Sequence, residues 1–117
     1  MSADPQLPLS PARRAGDVLY ISGQIGIETD GSVPTDFGRQ VELAIGNLER
    51  VLAANGGHLA DLVKTTVILT DIADFAAMNE IYAGRFAANP PARTTIVCGL
   101  ALPALRFEID GVAVVHD

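Results

Sequence analysis

The stretch LVKTTVILTDIADFAAMNEIYAGRFAANPPARTTIV, residues 62–97, predicts a strand, a helix and a second strand in succession. Residues 62–70 are rich in β-branched side chains and alternate between two faces, as a strand does. One face carries small and β-branched side chains, which we expect to lie between copies of the chain: Val63, Thr65 and Val67. Because a helix joins the two strands, their pairing is expected to be at least partly parallel.

The helix in this stretch is predicted to begin near Asp74. Its apolar side chains recur on one helical face: Phe75, Met78, Tyr82 and Phe86. Asn89-Pro90-Pro91 ends the helix, because proline cannot continue a helix and also restricts the residue before it. A strand then covers residues 93–100, and a last strand is predicted over residues 106–115.

Upstream of this stretch, the sequence predicts another strand. Residues 1–15 contain three prolines and should form an extended lead-in, which ends at a turn at Gly16-Asp17. Residues 18–27 have the composition of a strand. Glycine is unfavourable inside a strand, so Gly23 and Gly26 indicate a bulge or a place where another group approaches the backbone.

A long helix is predicted between the first strand and residue 62. Its apolar face repeats at helical spacing: Val41, Ala44, Ile45, Leu48, Val51 and Leu52. Thr35 or Asp36 can cap its start, and Asn55-Gly56-Gly57 ends it. We therefore expect one α/β domain over residues 1–117, with a mixed sheet and two helices packed on one face. The other face of the sheet is left for something else to cover.

The composition excludes several classes of protein. The 117 residues fit one domain, and 49% hydrophobic with 19% charged residues favours a globular core. A net charge of -6 with scattered lysines and arginines argues against nucleic acid as the main partner. One cysteine and two separated histidines predict neither an internal disulfide nor a metal site. Without a signal peptide or an apolar run of about 20 residues, we expect a cytoplasmic protein with no membrane partner.

Two residues near the C-terminus have side chains suited to chemistry on a small acid. Arg93 follows a rigid proline turn, and its guanidinium can bind a carboxylate through two parallel hydrogen bonds. Glu108 shares a strand face with Val112 and Val114, where partial burial would let it orient or deprotonate water. Each also fits a structural role, Arg93 as a surface or helix-capping arginine and Glu108 as a solvated carboxylate on an open sheet face.

Other candidates carry weaker signals. Ser22 can donate a hydrogen bond and Gly23 lets a ligand approach, although a plain strand bulge is the better explanation of these residues taken alone. Asn79 and Tyr82 can line a pocket, although Tyr82 also belongs to the core face of its helix. The lone Cys98 fits an inert small side chain. The sequence holds no phosphate-binding glycine loop, nucleotide fingerprint or metal-ligand motif.

Several blocks in order resemble the RidA/YjgF family of imine deaminases. They are SGQI at residues 22–25, VKTTV at 63–67, NPPART at 89–94, LP at 102–103 and FEIDGVAV at 107–114. The similarity runs from about residue 7 to residue 115. It implies a chorismate-mutase-like fold and a homotrimer with its sheets inward and three pockets between subunits. It also implies hydrolysis of 2-imino acids, of the 2-aminoacrylate and 2-iminobutyrate type, to 2-oxo acids and ammonia without a cofactor.

The resemblance also implies roles for individual residues. Arg93 matches the arginine that binds the substrate carboxylate, and Glu108 matches the glutamate that positions the attacking water. The other matched positions line the pocket: Ser22, Gly23, Asn79, Tyr82 and the backbone of Thr95 and Ile96.

Two positions depart from the best-studied members of that family. Thr95 stands in place of a cysteine whose backbone makes the contacts, and Leu9 stands near the place of an N-terminal tyrosine. The preferred imino acid therefore stays open. The same pocket also fits a protein that binds a small carboxylate metabolite without catalysis. Some family members have been described as ribonucleases or translation inhibitors, a function against which the acidic charge argues here.

Overall fold

The computed structural model describes residues 7–116, which form a five-stranded sheet and two α-helices. The strands are β1 (Ala12–Ala15), β2 (Val18–Ile25), β3 (Leu62–Leu69), β4 (Ala92–Val97) and β5 (Phe107–Val114). The helices are α1 (Phe37–Ala54) and α2 (Phe75–Phe86). Short 3-10 turns precede β3 (Leu59–Asp61) and α2 (Ile72–Asp74).

The strand order is β1-β2-β5-β3-β4, a mixed sheet. β3 and β4, which α2 joins, are parallel as the sequence predicts. α1 leads from β2 to β3, but the last strand β5 inserts between these two and pairs antiparallel with both. Both helices pack on one face of the sheet, where their apolar residues and the inward side chains of the strands form one hydrophobic core. Within residues 7–116, neither helix has the length and apolar character needed to cross a membrane.

α1 buries most of the face that its spacing predicts. Val41, Ala44, Ile45, Leu48 and Leu52 are buried, and Val51 is partly buried. The carboxylate of Asp36 accepts a hydrogen bond from the backbone N–H of Arg39 at 2.8 Å, so Asp36 is the N-cap. The helix ends at Asn55, as the sequence predicts.

β5 shows the alternation that divides the sheet into two faces. The helix-facing side chains are buried: Phe107, Ile109 and Ala113. Glu108, Asp110, Val112 and Val114 alternate with them and are half-buried on the face without helices, here called the open face. The predicted parity of Glu108 with Val112 and Val114 is therefore confirmed.

β1 shows that part of the predicted extended lead-in is a strand. Residues 1–6 lie outside the described residues, but Ala12–Ala15 pairs antiparallel with β2 across the Gly16-Asp17 turn. Gly16 has a positive φ of 62°, which glycine adopts without strain. Four residues are too few to show a period, so the pairing with β2 is what makes them a strand. β2 and β4 also end earlier than predicted, at Ile25 and Val97.

The prediction that Val63, Thr65 and Val67 form a face of β3 between copies of the chain is wrong. The register with β5 shifts by one residue between Leu62 and Lys64, which interrupts the alternation. Val63 is therefore exposed, whereas Thr65 and Val67 are fully buried under the helices. The open face of β3 instead carries the alternate, half-buried residues: Lys64, Thr66 and Ile68.

Candidate active site

Arg93 and Glu108 lie on opposite faces of the sheet. Arg93 is in register with Thr65 and points toward α2. Glu108 lies on the open face, in register with Ile68, which is in turn in register with Ile96. Arg93 is thus two strands and three residues from Glu108, or about 14 Å between Cα atoms at ordinary strand spacing. A three- or four-carbon acid cannot contact both side chains within one chain.

α2 provides a support of aromatic and thioether groups for Arg93. The guanidinium carbon lies 4.8 Å from the ring centre of Tyr82 and 5.9 Å from that of Phe75. The Nη1 atom lies 3.8 Å from the Sδ atom of Met78. An aromatic face attracts a cation without neutralising it. These contacts therefore hold the guanidinium in place and leave its charge available for an anion.

Arg93 differs in its partners from the other two half-buried arginines, which both pair with carboxylates. Arg85 pairs with Glu42 and Glu49, and Arg106 pairs with Asp74. Arg93 is half-buried, yet within residues 7–116 no carboxylate pairs with it. A partly desolvated cation without an anion is costly. Arg93 is therefore well suited to take up a small anion.

Thr65, which the sequence does not indicate as a site residue, fixes the position of the Tyr82 hydroxyl. The Tyr82 hydroxyl and Thr65 Oγ1 share a hydrogen bond of 2.7 Å, and both residues are buried. Burial raises the pKa of the Tyr82 hydroxyl, so it stays protonated. One threonine in a threonine-rich strand gives no sequence signal of such a role. Tyr82 combines the two alternatives, since it belongs to the core and also supports Arg93.

The remaining predicted residues of this region lie on α2 and β4. Asn79 is half-buried and follows Met78 on α2. Thr95 is half-buried two residues after Arg93, in register with the buried Val67. Ile96 alternates to the open face, where it is 43% exposed. β4 is an edge strand, so one side of its backbone is unpaired within the sheet and can bind polar groups.

Glu108 lies against the bulge that the glycine in β2 predicts. The register of β2 and β5 shifts between Ile21 and Gln24, so that Ser22 and Gly23 together oppose one residue. A β-carbon on Gly23 would lie 2.6 Å from the Oε2 atom of Glu108. Only glycine leaves room for the carboxylate in this position. The structure therefore brings Gly23 and Glu108 together.

The electrostatics around Glu108 favour its protonated form. Burial raises the pKa of the Glu108 carboxyl, and the nearby Asp110 carboxylate raises it further. Asp110 is itself fixed by the backbone N–H of Thr66, which donates to its Oδ1 atom at 2.9 Å. A carboxylate with a raised pKa accepts a proton more readily near neutral pH.

Ser22 is already engaged within the chain. Its hydroxyl donates to the carbonyl of Ser10 at 2.6 Å, which ties the segment before β1 to the bulge. This hydrogen bond favours the structural role of Ser22 in the bulge over donation to a ligand. Among residues 7–116, no group of three His, Cys, Asp or Glu side chains is arranged to hold a metal ion.

Comparison with known proteins places this chain in a family. The sequence model of the Endoribonuclease L-PSP family matches residues 1–115. The chain belongs to this family, also called RidA/YjgF. It is 39% identical over 109 residues to Reactive Intermediate Deaminase A, chloroplastic, from Arabidopsis thaliana, covering 91% of this chain and 58% of that protein. It is 39% identical over 98 residues to the 2-iminobutanoate/2-iminopropanoate deaminase of Rattus norvegicus, covering 82% and 72%.

Solved structures of RidA/YjgF proteins share the fold. RidA from the Antarctic bacterium Psychrobacter sp. PAMC 21119 matches with a TM-score of 0.89 and 30% identity, over 96% of this chain and 92% of that chain. The YjgF gene product of E. coli matches with a TM-score of 0.84 and 31% identity, over 92% and 87%. The resemblance and its chorismate-mutase-like fold are confirmed. Relatives named chloroplastic or mitochondrial exist, so a cytoplasmic location stays a prediction.

Proposed function

We propose that the chain hydrolyses reactive 2-imino acids to 2-oxo acids and ammonia, in pockets between the copies of a homotrimer. The observation that carries this proposal is the half-buried Arg93 guanidinium, which lies over Tyr82 and has no acidic partner among residues 7–116. A 2-imino acid offers a planar carboxylate that matches the two parallel donors of arginine. The names of the Arabidopsis and rat relatives support this reaction class.

The opposite positions of Arg93 and Glu108 favour a pocket shared by two copies. A second copy whose open face lies against the β4 edge of the first can bring its Glu108 toward the acid held by Arg93. The open face also carries side chains that association would bury, since Tyr20 is 53% and Ile96 43% exposed. A homotrimer with its sheets inward provides such contacts.

In the proposed reaction, Arg93 holds the carboxylate and thereby fixes the imine carbon. The unpaired backbone beside Thr95 and Ile96 binds the imine and the attacking water. Glu108 of the neighbouring copy accepts a proton as the water oxygen bonds to the imine carbon and the C=N electron pair passes to nitrogen. Glu108 returns this proton to the nitrogen, and the C–N bond then breaks as the hydroxyl oxygen forms the C=O bond and passes its own proton, through Glu108, to the leaving nitrogen, so that ammonia and the 2-oxo acid are released. The only co-reactant is water.

The direct test is a coupled assay in which an amino-acid oxidase releases a 2-imino acid and 2-oxo acid formation is followed. We expect formation well above the spontaneous rate. Binding of a 2-oxo acid without any acceleration would instead favour the non-catalytic carboxylate-binding protein. Sedimentation of the chain at micromolar concentration gives the assembly, and a monomer there would contradict the shared pocket.

A mixing experiment tests whether the two groups come from different copies. Arg93→Ala and Glu108→Gln subunits are each expected to be inactive in pure trimers. After joint unfolding and refolding in equal amounts, a site with an intact arginine and an intact glutamate from neighbours forms in about a quarter of positions. Recovery of roughly that share of turnover supports the shared pocket. No recovery, in a mixture shown to have exchanged subunits, would contradict it.

A further inference from the structure

A buried amide lies behind the bulge that holds Glu108. Gln24 is only 1% exposed, and its Nε2 atom donates to the carbonyl of Ser22 at 2.9 Å. Gln24 is in register with Ile109, which faces the helices, whereas Glu108 lies on the open face. A buried side-chain amide is costly unless it is paired. The hydrogen bond therefore couples the position of Gln24 to that of the bulge.

The bulge decides how closely Glu108 is packed. Ser22 and Gly23 are the two bulged residues, and the Gln24 amide donates to the carbonyl of Ser22. Gly23 faces Glu108, and a β-carbon on it would be 2.6 Å from the Glu108 carboxylate. A change in the bulge backbone would therefore move Gly23 relative to the carboxylate, since bulges control where nearby side chains point.

We propose that Gln24 is a positioning residue for Glu108, because its amide fixes the bulge against which the carboxylate is seated. The inference rests on the proposed function, since it matters for catalysis only if Glu108 accepts the proton. Gln24 lies on the helix-facing side of the sheet and so acts through Ser22 and Gly23, without touching the substrate.

The charged residues on the open face around Glu108 are separate from the bulge residues that Gln24 contacts. On β5, Asp110 shares the open face with Glu108. On β3, Lys64 shares that face, but it is in register with Val112, four residues along β5 from Glu108, and its Nζ atom donates to Thr94 Oγ1 at 2.9 Å and to the Thr65 carbonyl at 3.1 Å. The bulge residues of β2 carry no charge. Replacing Gln24 therefore changes the packing around Glu108 without changing its charged neighbours.

The test begins with Gln24→Met, which keeps the length of the side chain and removes the donor. We expect kcat to fall about 10- to 100-fold, the range that a small displacement of a reacting group produces. KM should change little, because Arg93 still holds the substrate. A less tightly packed Glu108 has a lower pKa, so the acidic limb of the pH–rate profile should move to lower pH. Leu52→Ala, a buried change at the end of α1, should lower stability without moving that limb.

A double variant separates action through Glu108 from general damage. If Gln24 acts through the carboxylate, Gln24→Met should cost little more in a Glu108→Gln background, because the group it positions is already gone. Two independent, multiplying losses would overturn the positioning role. Gly23→Ala changes the contact between the bulge and Glu108 directly, because the added β-carbon displaces the flexible carboxylate. This variant should therefore move the acidic limb even if Gln24→Met fails to fold.

The outcomes distinguish this inference from the proposed function. A wild-type chain that does not accelerate imine hydrolysis would overturn the proposed function, whereas wild-type turnover in Glu108→Gln would overturn the role of Glu108 as the base, whatever Gln24→Met does. Lost turnover in Glu108→Gln, with an unmoved acidic limb in both Gln24→Met and Gly23→Ala, would overturn only the positioning role.

Discussion

Removing the Arg93 guanidinium should abolish imine hydrolysis above the spontaneous rate and leave the chain folded. Loss of one partner of a desolvated charge pair costs about 2–5 kcal/mol. That corresponds to a fall of about thirty-fold to several thousand-fold in kcat/KM. The cost to the fold is smaller, since Arg93→Ala removes contacts with Tyr82 at 4.8 Å and Phe75 at 5.9 Å. Each such contact is worth about 0.5–1 kcal/mol, and the variant no longer buries an unpaired cation.

Arg93→Lys is the matched variant for the geometry of this contact. Lysine keeps the positive charge but cannot present two parallel donors to a carboxylate, so it should retain only a small part of the turnover. The assay measures the rate of 2-oxo acid formation from an enzymatically generated 2-imino acid. Circular dichroism and sizing of each variant check that fold and assembly are unchanged. Near wild-type turnover in a well-folded Arg93→Ala protein would refute the role of Arg93 in this mechanism.

Three further variants test neighbouring groups. Because burial raises the folded-state pKa of Glu108, ionisation of its carboxyl lowers the free energy of unfolding as pH rises through that pKa. Glutamine does not ionise, so Glu108→Gln should increase the free energy of unfolding at neutral pH although it loses turnover. Urea denaturation should show that gain vanishing below the ordinary pKa of 4.5, and a gain independent of pH would count against it. Thr95→Ala should keep most turnover and Thr95→Cys should not greatly raise it, whereas a loss as large as that of Arg93→Ala would show that the hydroxyl is used. Thr65→Val leaves the buried Tyr82 hydroxyl unpaired and should lower the free energy of unfolding by about 1–3 kcal/mol, so an unchanged urea midpoint would contradict it.

Strong periodicity explains why most of the fold could be predicted from the sequence. The spacing of Val41, Ala44 and Leu48 gives the buried face of α1, because each helical turn repeats the same environment. The two-residue alternation of β5 gives the faces of Glu108 and Ile109 for the same reason. β1 was missed because four residues contain only two repeats of that period.

The relation between the two parts of the candidate site could not be predicted from spacing. The alternation along β5 shows which residues of that strand share a face with Glu108. Only the pairing of β3 with both β4 and β5 shows that Arg93 lies on the other face. One extra residue near Val63 also reverses the face that a strict alternation assigns to it. The roles of Arg93 and Glu108 came from the family resemblance, since each residue alone also fits a structural role.

The division of the site between two faces links assembly to the chemistry itself. The helix-covered face is already packed, and it supports Arg93 at the edge strand whether or not another copy is present. Glu108 lies on the open face, so part of its burial depends on what covers that face. In an isolated copy, greater solvation of the carboxylate would lower its pKa and weaken it as a base, and the acid held by Arg93 would lie out of its reach. Association of copies in the proposed trimer would therefore bring base and substrate together and also desolvate the base, two effects that act on the same proton transfer.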